Sequence, residues 1–338
     1  MESQYRQDVL TGHWVIISSA RAKRPEAFIV KKVEKEKHKK CAFCEGHELE
    51  TPPEKYAVRN KGTRENEKGW RIRVIDNKYQ VFDTKKNNER KSTKLFPYQQ
   101  AIGIHEVIIT KNPAKDIGEF TRHQVKELIE TFIQRISVHK NNPEIKHIQI
   151  IQNHGKRAGS SMTHPHSQLF GGGNYKGTWL DKELKHSKRH FAKEGRCLFC
   201  DILEKEIKSG KRIIYKNRNF IAYSPYASSY PFQISVAPRF HSAFFEEMNE
   251  KQIKDFAEIV QFAFHRLYVK LRNPDYNFFI RLAPVKFRND KEEKEIRESF
   301  HWHLEILPKV TTWGGYEYAT NVVVNVVLPE ESAEFFRL

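Results

Sequence analysis

The sequence is poor in cysteine and methionine and has no long apolar run. Its 338 residues include only four cysteines and three methionines. Nowhere do about 18 apolar residues follow one another, which is the length that a membrane-spanning helix needs. The first ten residues, MESQYRQDVL, lack the apolar core that follows the basic end of a secretory signal. These absences predict a cytoplasmic protein with no membrane partner.

Acidic residues are also scarce relative to basic ones. The chain has 59 lysines and arginines against 42 aspartates and glutamates, which gives a formal net charge of +17. Such a charge steers anions towards the surface, so a partner rich in phosphate is expected, either a nucleic acid or a nucleotide. Apolar residues are present in quantity, because 38% of the chain is hydrophobic and 23 residues are phenylalanine. That composition predicts a globular protein with substantial cores.

The two halves of the chain show the same features in the same order. The first half contains a Cys-x-x-Cys pair at 41, strand-like segments at 71–82 and 104–110, a helix, a strand-like segment at 147–155, and HPH at 164–166. The second half contains a Cys-x-x-Cys pair at 197, strand-like segments at 212–226 and 231–238, a helix, a strand-like segment at 276–284, and HWH at 301–303. The recurrence of the whole order predicts an internal duplication.

Apolar residues at helical spacing predict one helix in each half. The positions are Val125, Leu128, Ile129, Phe132, Ile133 and Ile136, and then Ile253, Phe256, Val260, Phe264 and Leu267. Strands, one helix and further strands are typical of an α+β unit, a mainly antiparallel sheet with a covering helix, here made twice. The predicted boundaries are 1–172 for the first domain, 173–196 for a connection or separate helix, and 197–338 for the second domain.

The cysteine pairs and distant histidines predict metal sites. In a reducing compartment, Cys-x-x-Cys pairs are metal ligands more often than disulfides. Tetrahedral zinc takes four sulfur or nitrogen ligands, commonly two from such a pair. The second half supplies a full set, which would form a closed structural site: Cys197, Cys200, His241 and His301.

The first half supplies three of the four ligands. These are Cys41, Cys44 and His164, and the counterpart of His241 falls in the segment TKNPAKD at 110–116, where Ala114 is the expected occupant. Three other histidines are candidates for the fourth ligand, namely His47, His105 and His123. Water in the fourth position or no metal at all are the alternatives, so one or two zinc ions per chain are expected.

The segment around the HPH triplet combines groups suited to nucleophilic chemistry at phosphorus. If His164 faces metal or scaffold, His166 keeps a free ring nitrogen, and a neutral imidazole can attack phosphorus directly. Hydrogen-bond donors for the phosphoryl oxygens lie close in sequence, at Ser160, Ser161 and Gln168. Core packing does not require this combination.

Three segments carry a resemblance to a known family. They are HPHSQ at 164–168, DVLTGHWVIISSARAKRP at 8–25, and GGYE at 314–317. They resemble segments of the galactose-1-phosphate uridylyltransferase family, a branch of the histidine-triad superfamily. The resemblance implies two tandem histidine-triad-like domains, a homodimer, and exchange of a nucleoside monophosphate through a covalent bond to His166.

The resemblance also implies roles for individual residues. Ser161 and Gln168 would hold the phosphoryl group, and Cys41, Cys44 and His164 would bind zinc. The nucleotide would be held by Arg21, Arg24 and Asn77, and the sugar by Tyr316 and Glu317. In the second half, Glu305 replaces the glutamine and no serine pair precedes the histidines, so one reactive half per chain is expected.

The substrates implied are a nucleotide sugar and a sugar 1-phosphate. Uridylyl transfer from UDP-glucose to galactose 1-phosphate is the favoured interpretation. The segment AGSSM at 158–162 also resembles the ADP-glucose phosphorylase branch, in which phosphate is the acceptor. A small histidine-triad hydrolase is disfavoured because Gln168 stands where a third histidine is usual. A zinc-containing nucleic-acid binder is the distant alternative. The cysteine pairs lie too far apart for one compact finger, so no nucleic-acid partner is expected.

Overall fold

The computed structural model describes residues 2–18, 41–85 and 92–338. The predicted nucleotide-binding residues Arg21 and Arg24 lie outside these ranges. The strands are β1 (Gln4–Asp8), β2 (His13–Ile17), β3 (Glu54–Arg59), β4 (Trp70–Asp76), β5 (Gly103–Thr110), β6 (His147–His154), β7 (His166–Gly172), β8 (Ile213–Lys216), β9 (Phe220–Tyr223), β10 (Ile234–Pro238), β11 (Tyr276–Arg281), β12 (His303–Pro308) and β13 (Val323–Asn325). The α-helices are α1 (Arg122–His139), α2 (Trp179–Glu194), α3 (Leu198–Ser209), α4 (Glu250–Leu271), α5 (Asp290–Ser299), α6 (Gly315–Thr320) and α7 (Pro329–Arg337).

Ten of the strands form one continuous sheet. Their order is β3-β4-β5-β7-β6-β11-β12-β10-β9-β8, and every neighbouring pair is antiparallel. The first five strands belong to the first half of the sequence and the other five to the second, which confirms the predicted α+β class. The halves join edge to edge, because β6 pairs with β11 from His154↔Tyr276 to Ile150↔Ile280. Each half thereby covers a strand edge of the other.

The ends of the described chain meet in a second, three-stranded sheet. Strand β2 pairs antiparallel with β1 and parallel with β13. The amino-terminal hairpin therefore lies against the carboxy-terminal part of the chain. The predicted connection at 173–196 contains α2, whose first turn is capped by the Thr178 side chain.

The two predicted helices are present and cover one face of the large sheet. Helices α1 and α4 each begin with a capping box, in which the side chains of Thr121 and Asn249 accept from the third residue of the helix. The apolar stripes of both helices are buried in one core with residues of the sheet. An ion-pair network ties α1 to β5, since Arg135 and His139 both contact the buried Glu106 carboxylate.

Two predicted strand segments differ in the structure. The segment 71–82 is a strand only as far as Asp76, because the next residue, Asn77, forms a turn in which its side-chain oxygen accepts from the Tyr79 amide. The segment 212–226 is two short strands, β8 and β9, separated by a turn at Asn217, whose side-chain oxygen accepts from the Asn219 and Phe220 amides. Within the described ranges, no helix has the length and apolar character needed to cross a membrane.

Candidate active site and metal centres

Strand β7 carries the HPHSQ residues onto the face of the sheet that α1 and α4 leave uncovered. Successive side chains of a strand alternate between its two faces. Leu169 packs in the helix-covered core, so His166 and Gln168 project from the opposite face. Across the neighbouring strand β5, Ile109 pairs with His166 and Val107 with Gln168. The predicted phosphoryl-binding Gln168 and the predicted nucleophile therefore lie on one surface.

The ring of His166 is held in one orientation. Its Nδ1 lies 2.8 Å from the backbone oxygen of His164. A carbonyl oxygen only accepts, so Nδ1 carries the proton and the lone pair of the neutral ring is on Nε2. Burial lowers the pKa of His166, which keeps the ring neutral at physiological pH. The arrangement presents a neutral nucleophilic nitrogen with a fixed tautomer.

His164 faces a different set of partners. Its Nδ1 lies 3.5 Å from the sulfur of Cys41 and 3.8 Å from that of Cys44, and its Nε2 lies 2.7 Å from the backbone oxygen of Thr110. The carbonyl again fixes the proton, here on Nε2, so the Nδ1 lone pair points at the two sulfurs. The two histidines of the triplet thus have different surroundings and different tautomers.

The side chains of Gln168 and Asn77 both approach the same ring nitrogen of His105. The His105 Nε2 atom lies 2.8 Å from Gln168 Oε1 and 3.1 Å from Asn77 Nδ2. The His105 ring stacks on Phe170, with 4.0 Å between ring centroids. Sequence reasoning considered His105 only as a metal ligand. Strand alternation along β5 predicts the face on which His105 lies, but its contact with Gln168 can be predicted only when the register of β5 against β7 is known.

The environment of His105 determines which end of the Gln168 amide is available. Its buried Nδ1 has no hydrogen-bond partner among the residues that the structure describes. A buried N–H without a partner is costly, so the proton belongs on Nε2, where Gln168 Oε1 accepts it and the Asn77 amide nitrogen, itself a donor, forms no hydrogen bond with Nε2. Burial lowers the pKa of His105, so the ring is neutral. The Gln168 carbonyl is thereby occupied, and the amide N–H groups remain for a substrate oxygen.

The serines lie in the loop between β6 and β7. The Ser160 hydroxyl donates to the backbone oxygen of Met162 at 2.7 Å. Ser161 is exposed. Gly155 and Gly159 shape this loop with positive φ angles of 81° and 82°, a conformation that favours glycine.

The predicted sugar-binding residues lie elsewhere in the chain. Tyr316 and Glu317 belong to the exposed helix α6, which precedes β13. The Glu317 carboxylate accepts from the Gly314 amide at 2.9 Å. No hydrogen bond or ring contact among the described residues joins Tyr316 or Glu317 to His166. Within the described part of the chain, Tyr316 and Glu317 therefore do not contact His166.

The second half contains a complete cluster of zinc-type ligands. The ligand atoms of Cys197, Cys200, His241 and His301 all lie within 4.8 Å of one another. The Cys200 sulfur is 3.4 Å from Nδ1 of each histidine. The Nε2 atoms face backbone oxygens, that of Arg297 at 2.7 Å and that of Pro238 at 3.1 Å. These carbonyls orient both Nδ1 lone pairs towards the sulfurs, as the surroundings of metal-bound histidines do.

The first half contains a smaller cluster of the same kind. Its ligand atoms, from Cys41, Cys44 and His164, also lie within 4.8 Å of one another. Burial raises the pKa of Cys41 to about 11, so metal binding would have to displace its proton. In the described ranges no fourth cysteine, histidine or carboxylate joins this cluster.

The three histidines considered for the fourth position have other partners. His47 lies 2.6 Å from the Glu50 carboxylate, and His123 lies 3.4 Å from that of Glu127. His105 contacts Gln168, as described above. None of the three is therefore a member of the first cluster.

Comparison with known proteins matches these features to one family. Residues 1–174, just over half of the chain, match the model of the galactose-1-phosphate uridyl transferase N-terminal domain. The chain belongs to this family. It is a nucleotidyltransferase, as its sequence predicted.

Relatives of the family resemble the chain over nearly its whole length. The ADP-glucose phosphorylase of Arabidopsis thaliana is 30% identical over 99% of this chain and 92% of its own. The galactose-1-phosphate uridylyltransferase of Thermotoga maritima is 25% identical over 99% of this chain and 98% of its own. Among solved structures, an Arabidopsis ADP-glucose phosphorylase with bound ADP-glucose superposes with a TM-score of 0.81, at 27% identity, over 99% of this chain and 98% of that one.

Proposed function

We propose that the protein transfers a nucleoside monophosphate from a nucleotide sugar through a covalent bond to His166. The observation that carries this proposal is the fixed tautomer of His166, which directs the Nε2 lone pair away from the His164 carbonyl. Nε2 attacks the α-phosphorus, and an N–P bond forms as the bond to the bridging oxygen breaks. Sugar 1-phosphate leaves. A phosphate oxygen of the acceptor then displaces the ring and restores neutral His166.

Neighbouring groups would stabilise this reaction. The positive charge that the ring gains on phosphorylation is shared with Nδ1–H, which donates to the His164 carbonyl. The side-chain N–H groups of Gln168, which have no acceptor among the described residues, and the exposed Ser161 hydroxyl are suited to the phosphoryl oxygens. Asn77 is a proposed nucleotide contact, and so are Arg21 and Arg24.

Two donors are candidates. The relatives favour ADP-glucose with phosphate as acceptor, because the Arabidopsis ADP-glucose phosphorylase shares 30% identity over 99% of this chain. UDP-glucose with galactose 1-phosphate is the second candidate, supported by the uridylyltransferase relatives and the family model. Both reactions use the same covalent step and differ in the base and the acceptor.

Zinc is the proposed metal of the cysteine and histidine clusters. Two sulfurs and two nitrogens in the second half are the donor set that tetrahedral zinc prefers. Zinc bound there would have a structural role, because it would cross-link the start of α3 to the loop that follows β10 and to the loop that precedes β12. The first cluster offers three ligands, so one or two ions per chain are proposed. The thiols must stay reduced to bind metal, as they would in the cytoplasm.

A homodimer would account for the separation of Tyr316 and Glu317 from His166. The surface around α6 and the small sheet exposes several aromatic side chains: Tyr5, Trp14, Tyr316 and Tyr318. Contiguous exposed apolar surface of this kind is typical of a protein interface. We propose that a second copy covers it and that Tyr316 and Glu317 serve the His166 site of the partner subunit.

The test is retention of label from a donor carrying radioactive α-phosphate. Incubation with labelled ADP-glucose or UDP-glucose should leave label on the protein that is stable to base and labile to acid, as an imidazole phosphoramidate is. Phosphate or galactose 1-phosphate should then remove it. The His166→Ala variant should retain none, whereas the matched His303→Ala variant of the other half should be labelled. Turnover by His166→Ala at the wild-type rate would refute the covalent mechanism.

A further inference from the structure

A cavity of about 400 Å³ opens on the uncovered face of the sheet in the second half. Its floor is formed by β6, β9, β11 and β12, and its walls by the β1–β2 hairpin, the start of α2 and the segment that follows β12. The volume lies within the range typical of small-molecule sites. Of the described residues assigned to the proposed nucleotidyl transfer, none lines this cavity.

The cavity is the counterpart, in the second half, of the His166 site. His303 repeats the arrangement of His166, since its Nδ1 lies 3.2 Å from the His301 backbone oxygen. Gln168 and Glu305 occupy one row across the sheet, through the pairs Gln168↔Ile151, Ile151↔Phe279 and Phe279↔Glu305. Three strand spacings, roughly 14 Å, separate them. The duplication therefore produced two adjacent sites on one surface.

The polar groups of the cavity differ from those of the first site. Three carboxyl groups line it, from Asp8, Glu183 and Glu305, and burial raises the pKa of each, that of Glu305 to about 7. Glu183 is only 2% exposed, and among the described residues it has no hydrogen bond. The Nδ1 atom of His303, whose ring burial keeps neutral by lowering its pKa to about 3, lies 3.9 Å from the Glu183 carboxyl group. A buried carboxyl group without a hydrogen bond, facing a cavity, is a strong indication of a missing ligand.

The Arg281 guanidinium also faces the cavity without an ion pair. It stacks on the Phe279 ring at 4.5 Å and, within the described part of the chain, forms no contact below 4.0 Å with a carboxylate. Because burial keeps Glu183 and much of Glu305 protonated near pH 7, Arg281 is opposed mainly by Asp8, and the lining favours a ligand of neither charge. It favours a neutral ligand that both donates and accepts hydrogen bonds.

The remaining lining combines aromatic rings with amide groups. The rings include Trp313, whose buried Nε1 has no hydrogen-bond partner among the described residues. The amides belong to Gln149, Gln233 and Asn321. Aromatic faces suit the C–H surface of a sugar ring, and carboxyl and amide groups suit its hydroxyls. Burial raises the pKa of Glu183 to about 8, so this carboxyl can also donate when it is protonated.

We propose that this cavity binds a neutral, unphosphorylated saccharide at a site distinct from His166. The zinc-type cluster nearby does not supply an alternative, because none of its ligands lines the cavity. The saccharide would hydrogen bond to Glu183, Glu305 and the Trp313 indole and would cover the Phe279 ring. Binding can be measured without catalysis, so this proposal and the proposed function can fail separately.

Isothermal titration calorimetry on the full-length protein tests the proposal. D-glucose, D-galactose and maltose are titrated, with glucose 1-phosphate and putrescine as the charged alternatives. At least one neutral sugar should bind at one site per chain. Glu183→Gln, which is isosteric, should weaken that binding at least about 10-fold, as should Trp313→Phe. Gln168→Ala, the matched change in the first half, should leave it unchanged.

Each other outcome would overturn the proposal. The proposal fails if none of the three neutral sugars binds. It also fails if sugar binding is abolished by Gln168→Ala but preserved by Glu183→Gln. Tighter binding of putrescine than of any sugar would show a cation site instead. Thermal melting of each variant identifies a folding defect, and Trp313→Phe supplies an independent measurement if Glu183→Gln does not fold.

Discussion

Replacing His105 by phenylalanine should slow the transfer of the nucleotidyl group to His166 while leaving the protein folded. Phenylalanine keeps an aromatic ring against Phe170, which lies 4.0 Å from the His105 ring in the native protein. It removes the Nε2–H that donates to Gln168 Oε1 at 2.8 Å. The Gln168 amide then loses the contact that keeps its N–H groups directed away from His105.

The size of the effect follows from the lost hydrogen bond. A buried acceptor left without its donor costs about 1–3 kcal/mol. Gln168 is only partly buried, so water replaces some of the interaction and the lower part of that range, about 1–2 kcal/mol, applies. Since about 1.4 kcal/mol is a factor of ten in rate, labelling of His166 should slow about 5-fold to 30-fold. The loss should fall on the rate of labelling more than on donor affinity, because Gln168 is proposed to act on the phosphoryl group in the transition state.

Two further substitutions separate hydrogen bonding from packing. The amide nitrogen of His105→Gln can reach the position of Nε2, so this variant should recover most of the rate. The amide nitrogen of His105→Asn falls near the position of Nδ1 and should recover little. Both remove the ring, and only one restores the donor.

Single-turnover labelling with the donor identified as active gives the rate, and its dependence on donor concentration gives the affinity. Thermal melting confirms that each variant is folded. Wild-type labelling by His105→Phe would refute the proposed role of His105, and so would equal rates for the glutamine and asparagine variants.

Three other predictions concern metal content and stability. Elemental analysis should find between one and two zinc ions per chain, and Cys197→Ala should lose more zinc than Cys41→Ala because only the second cluster has four ligands. Glu106→Gln should lower the free energy of unfolding by about 3–5 kcal/mol in urea titrations, because it leaves the buried arginine on α1 without its carboxylate. Burial alone would raise the pKa of Glu106, but hydrogen bonds from its histidine and arginine partners lower it overall. The wild type should therefore lose the free energy of unfolding that this ion pair contributes as pH falls below about 4.5, whereas the variant should show no such loss. Gly155→Ala should destabilise more than Gly159→Ala in the same titrations: both have positive φ, but a Cβ at Gly155 would clash with the Asp275 carboxyl group, whereas no described atom lies within 4 Å of one at Gly159.

Local periodicity predicted two of the seven described α-helices, α1 and α4, and most strands, but it did not predict long-range pairing. The apolar stripes from Val125 to Ile136 and from Ile253 to Leu267 mark the buried face of each helix, so both helices can be predicted from the sequence alone. No local sequence pattern in 147–154 or 276–281 predicts that these two strands pair with each other. That pairing converts two predicted sheets into one, and it joins residues more than 120 positions apart in the sequence.

The same limit applies to the candidate site. The HPHSQ segment is contiguous, so its chemistry could be inferred from neighbouring residues. His105 lies 63 residues before Gln168, and their contact depends on the register of β5 against β7. Tyr316 and Glu317 show the converse, because a motif predicted a shared site and, within the described ranges, neither residue contacts His166.

The duplication explains why two sites on one surface need not compete for one ligand. Gln168 and Glu305 occupy corresponding places in one row of the sheet, roughly 14 Å apart. An amide at the first place can donate to a phosphoryl oxygen, whereas a carboxyl group at the second repels one when it is ionised. In the proposed arrangement, this one substitution favours a phosphorylated substrate on the His166 side and an uncharged ligand on the other. If Glu305→Gln made the second cavity accept glucose 1-phosphate, this single position would be shown to divide the two sites.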